Sequence, residues 1–138
     1  MIPDPSINLV PVIVAAIANM LLGMFWYSPY LFGKIWMKSM GKTPEDMKMG
    51  GSAGIMYVLN TISSLVFAYV LAHIIKYANI NMFSAGAIAG FWVWLGFVVT
   101  TVLPGYLFES RPKLLYFIYI IYQFFSITIM GGILALWR

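Results

Sequence analysis

The sequence predicts an all-α membrane protein, a four-transmembrane-helix bundle, and two observations carry that prediction. The first is composition: of 138 residues, 62% are hydrophobic and 9% are charged, against roughly 25% charged in an average soluble domain. A soluble domain this small exposes much of its surface, and eight basic and four acidic residues cannot solvate it. The absence of cysteine excludes a disulfide scaffold. The second observation is where the charges fall. Residues 5–33, 49–75, 77–108 and 114–137 contain no Asp, Glu, Lys or Arg. Each stretch exceeds the roughly 20 residues that cross a hydrocarbon core, and none is long enough to cross twice. Barrel strands would alternate in polarity, and these stretches do not, so the spans are helices. A single integral-membrane domain, residues 1–138, is expected, with spans at about 8–29, 50–75, 82–104 and 114–137 and an interfacial elbow at about 30–42.

The elements follow in chain order. Asn8 is placed to cap the first helix, and Pro11 is tolerable in its first turn, where backbone N–H groups lack partners. Pro29 is expected to end or kink that helix. With Asp4 and no early Lys or Arg, the N-terminal stretch reads as a retained anchor rather than a cleaved signal. Thr43-Pro44-Glu45-Asp46 has the cap, the first-turn proline and the acids of a helix start, so the second helix is expected to begin near Thr43 and end near Lys76. Asn81 or Ser84 is the expected cap of the third helix, and Pro104-Gly105 its expected break. The fourth begins after Arg111-Pro112.

Basic residues set the expected orientation. Lys34, Lys38, Lys42, Lys48, Arg111 and Lys113 lie on one side, and Lys76 and Arg138 on the other. The positive-inside rule puts the first and third connections in the cytoplasm and both termini outside, in the cell membrane. The net charge of +4 thus reports topology and attraction to lipid headgroups, and nucleic-acid binding does not follow.

Two strings echo each other. Pro29-Tyr30-Leu31-Phe32 closes the first span, and Pro104-Gly105-Tyr106-Leu107-Phe108 the third. They fit a duplicated helical hairpin with parallel pseudo-symmetry, and equally the ordinary gathering of Pro and aromatic residues at membrane interfaces.

Residues 19–37 contain Gly23, Trp26, Tyr27, Ser28, Pro29, Phe32, Gly33 and Trp36 in a Gly-x-x-Trp-Tyr-Ser-Pro-x-x-Phe-Gly-x-x-Trp pattern. This pattern resembles the small four-span membrane family known as domain of unknown function seventeen-sixty-one. Leu107-Phe108-Glu109-Ser110-Arg111-Pro112, Met130-Gly131-Gly132 and Trp137 resemble that family too, so the likeness covers essentially the whole chain. It implies the four-span architecture and no reaction.

The residues themselves offer two candidate sites. The stretch Trp26, Tyr27, Ser28, Pro29, Phe32, Gly33, Lys34 and Trp36 suits an interfacial elbow, which could also form the mouth of a headgroup or partner site. Deeper, Asn19, Asn60, Thr100 and Gln123 each lie nine or ten residues from a cytoplasmic boundary. At roughly 1.5 Å per residue they would form one polar layer near mid-membrane, with Asn60 and Gln123 pointing into the bundle. Such a layer is either interhelical glue or a neutral conduit. Tyr116, Tyr119, Gln123, Ser126 and Met130 share one helix face, and Ala15-Asn19-Gly23, Gly86-Gly90, Ala85-Ala89 and Gly50-Gly54 are packing signals. His73 is the sole histidine and lies near a helix end. With no cysteine and no carboxylate at membrane depth, no metal or other cofactor is expected, nor catalysis. Ion-coupled transport is disfavoured, because no span carries the charge that it uses. Two functions remain open. One is a small non-catalytic membrane module that forms a homo-oligomer or serves as an accessory subunit of a larger membrane complex. The other is a facilitative conduit or binding site for a small neutral or lipophilic molecule.

Overall fold

A computed structural model describes residues 6–43, 45 and 53–137. The described residues are helical, without a strand. Among the described residues, four helices are long and apolar enough to cross a membrane, as the composition requires. We number α1 Leu9–Trp26, α2 Gly33–Met40, α3 Ala53–Tyr77, α4 Phe83–Phe108 and α5 Lys113–Leu136. The expected helix start at Thr43-Pro44-Glu45-Asp46, the basic residues Lys48 and Arg138, and Gly50 of the Gly50-Gly54 pair fall wholly or partly outside the described residues. Gly54 itself has open space around it and packs on nothing.

Asn8 caps α1 as expected, its side-chain oxygen accepting from the Val10 N–H at 3.1 Å. Elsewhere the boundaries move. α1 stops at Trp26, three residues before Pro29: the Ser28 N–H bonds the Phe25 carbonyl only three residues back, at 3.2 Å, and the Ser28 hydroxyl donates to the same carbonyl at 2.6 Å. α4 starts at Phe83 behind Met82, which provides no side-chain cap, so neither Asn81 nor Ser84 performs that role. The turn before it is made by Asn79 at φ 55°, a left-handed backbone that Asn tolerates.

Pro104 does not break α4: the helix carries it and runs on to Phe108. Pro104 has no N–H to give the Thr100 carbonyl, and the helix runs on through it with side-chain donors on the carbonyls of the turns just before. Residues Trp94–Val99 form a π turn, the Thr100 hydroxyl bonds the Gly96 carbonyl at 2.6 Å, Thr101 bonds that of Phe97, and the Tyr116 hydroxyl reaches from α5 to the Val99 carbonyl at 2.9 Å. The two echoing Pro-aromatic strings therefore fold differently, one as a turn and the other inside a helix.

α5 is the central helix and touches each of the others. Its tightest partner is α4. A Cβ on Gly86 would strike the Gly131 carbonyl and Ala135, and one on Gly90 would lie 2.5 Å from the Ile127 carbonyl, so these backbones touch only because side chains are missing. The Gly86-Gly90 signal is thus spent within the chain. The main core joins Val12, Ala15 and Ala16 of α1 to Ala68, Leu71, Ala72 and Ile75 of α3, and to Ile127, Met130, Leu134 and Ala135 of α5. All of it lies toward the end of the bundle that holds the chain termini. Toward the opposite, basic end the packing thins. Every residue of α3 from 54 to 60 is exposed, and α4 buries none from Trp94 to Phe108.

Candidate functional site

The polar residues expected in one layer separate in the structure. Asn19 is half-buried, and it is the node at which three helices meet. Its side-chain carbonyl accepts from the Tyr122 hydroxyl at 2.6 Å and the Ser126 hydroxyl at 2.5 Å, and its amide N–H donates to Ser64 at 2.7 Å. Both acceptor positions of the carbonyl are used. Gly23, one turn below, leaves room for this arrangement: a Cβ there would stand 2.9 Å from the Tyr122 oxygen. Ser64 and Ser126 are themselves buried, so the node is closed off by the helices that it joins.

Asn60 does not join it. It lies one turn before Ser64 and is exposed, which corrects the expectation that it points into the bundle. Along the helices Asn60 and Gln123 nonetheless stay close. Gln123 stands three residues before Ser126 and Asn60 four before Ser64, a difference of about 1.5 Å in rise. Only the face differs. Gln123 is half-buried and pairs with the Tyr119 hydroxyl on its own helix. Thr100 is exposed and engaged with its own helix at Gly96. Asn19, Asn60, Thr100 and Gln123 therefore do not line one cavity. The cleft between Ile7, Pro11, Ile75 and Leu134 opens at the terminal end of the bundle, away from all four.

The elbow is built as a lock. The Phe32 N–H returns to the Trp26 carbonyl and the Gly33 N–H to that of Ser28, both at 3.0 Å. Gly33 is buried so tightly that a Cβ would collide with the Tyr27 carbonyl, so the turn demands glycine there. Trp26 stacks against Phe32 at 4.6 Å and donates from its indole to the Ile118 carbonyl of α5 at 3.1 Å. Tyr27 lies edge-on to Trp36 at 5.4 Å and to Tyr122 at 5.7 Å. The motif thus fastens α2 to the α1–α5 pair and touches the residue that bonds Asn19. Pro29 is exposed at the outside of the turn, and Lys34 and Lys38 are exposed on α2.

Sequence reasoning had passed over Tyr122 and Trp94. Trp94 mirrors Trp26, its indole donating to the Ile120 carbonyl of α5 at 2.8 Å. A usable signal was the count of aromatic residues carrying one N–H or O–H, which need a partner when buried in lipid. His73 is half-buried, with its ring 2.8 Å from the Tyr69 carbonyl and stacked edge-on against Tyr69 at 4.5 Å. Among the described residues no three His, Cys, Asp or Glu side chains come together.

The model of a family described as a protein of unknown function (DUF1761) matches residues 10–135. No curated protein and no solved structure matches the chain.

Proposed function

This chain belongs to the DUF1761 family of unknown function, and we propose that it is a small non-catalytic integral-membrane module that works by packing against other helices, as an oligomer or as the accessory subunit of a membrane complex. The observation that carries this reading is that the Asn19 carbonyl has both acceptor positions filled from a neighbouring helix. A conduit needs polar groups with bonding capacity left for the passing molecule. The deepest polar cluster instead satisfies its acceptor with Tyr122 and Ser126 and gives an amide proton to Ser64. That is how polar groups hold transmembrane helices together. The large uncovered apolar surface of α3 and of the second half of α4 is where neighbours would sit. We place the basic connections in the cytoplasm and both termini outside, from the distribution of Lys and Arg.

Purification in a mild detergent, followed by mass measurement of the intact particle, tests this reading. A module is expected as a particle larger than one chain, either multiples of 15.5 kDa or one with a stoichiometric foreign subunit. A monomer that retains a small molecule at one-to-one stoichiometry would instead favour a binding site or conduit.

A further inference from the structure

Three side-chain amides lie in the described spans. Asn19 is bonded across three helices and Gln123 within its own. Asn60 is exposed and has no hydrogen bond to any described residue. Lipid chains offer an amide nothing, and leaving one unpaired in hydrocarbon is costly. Asn60 does not stand alone on its face. Met56, Asn60, Ser63, Phe67, Val70 and Ile74 follow alternating four- and three-residue steps, the seven-residue repeat by which one helix seats along another. Met56, Asn60, Ser63, Val70 and Ile74 are exposed, and Phe67 is half-buried.

We propose that this stripe of α3 is a self-association seam on which a second copy of the chain packs, so that the two Asn60 amides pair across a twofold axis. The proposal deepens the module reading and rests on it. Donor–acceptor complementarity selects the occupant. A twofold axis brings the same position of each copy face to face, and an amide carries both N–H donors and a carbonyl acceptor, so it is its own complement. A single polar residue in an otherwise apolar repeat also fixes register, since any slip separates the pair. The seam lies beside the α3 face that packs on α1 and α5, the side of Ser64, Ala68, Leu71 and Ile75, so a second copy reaches it without disturbing the fold.

Single cysteines on this cysteine-free chain, in vesicles of neutral phosphatidylcholine, test the seam. Met56→Cys and Ser63→Cys are expected to form disulfide-linked dimers on mild oxidation. Ile62→Cys and Tyr69→Cys, on the opposite face, are expected to stay monomeric. Asn60→Leu should weaken dimerisation of fluorescently labelled copies about fivefold or more, and Asn60→Gln should restore much of it. Equal cross-linking on both faces, or dimers indifferent to Asn60→Leu, would overturn the seam while leaving an oligomeric module intact. A chain that stays monomeric in vesicles also overturns it. Met56→Cys cross-linking to a different protein in cells would overturn the second copy as occupant and leave the accessory-subunit reading standing.

Discussion

The two ends of the bundle are held by different means. Toward the chain termini, α1, α3 and α5 interlock through small and aliphatic residues, and α4 lies backbone to backbone on α5. Toward the basic end, α3 and the second half of α4 leave most of their surface uncovered, and hydrogen bonds and aromatic rings do the fastening: Trp26 and Trp94 to α5 carbonyls, Tyr116 to Val99, Tyr27 to Trp36. The Asn19 node stands at the border between the two regimes. The contrast teaches that close packing can hold such a bundle from one end, leaving the other end's helix faces for neighbours.

Substitutions at small residues should separate the ends most widely. Gly86→Leu forces α4 off the Gly131 carbonyl, and overpacking of this kind destabilises by about 3 kcal/mol or more. Gly54→Leu meets open space and should leave stability unchanged. Unfolding by a denaturing detergent, titrated against a mild one, measures both. Equal losses would mean that the open end is as packed as the closed one.

The asparagines sharpen the same contrast. Asn19→Leu removes three bonds, at roughly 0.6 kcal/mol each in membranes, so a loss of about 2 kcal/mol is expected. Asn60→Leu should cost the isolated chain less than about 0.5 kcal/mol, because it has no partner among the described residues to lose. A comparable loss at both positions in dilute micelles would place Asn60 inside the fold after all.

The smallest contrast lies within the elbow. Gly33→Ala pushes a methyl group onto the Tyr27 carbonyl and should move Trp36 relative to the bilayer surface. Pro29→Ala should do little, because α1 has already stopped at Trp26. Depth-dependent quenching in a variant whose only tryptophan is Trp36 reads both, and a larger shift from Pro29→Ala would return the turn to the proline.

The number of spans and the Asn8 cap were legible because they depend on hydrophobicity and on local hydrogen bonding, which are properties of the chain itself. The face of Asn60 was not. A helix in lipid is apolar all round, so α3 has no polar side from which an inward direction could be read. Pro104 misled for a related reason: proline is read locally as a helix breaker, whereas here the preceding turns are braced from another helix, by the Tyr116 hydroxyl on the Val99 carbonyl. Tyr122 closes the node from 103 residues away, a contact with no local trace.

The most direct test of a closed, structural node is water access to Ser126, a buried side chain on Asn19. A Ser126→Cys variant in vesicles can be exposed to a small hydrophilic thiol reagent added to both sides. The closed node is expected to leave the thiol unmodified until detergent unfolds the protein. Rapid modification in intact vesicles would reveal an aqueous path to mid-membrane, and would contradict the module in favour of the conduit.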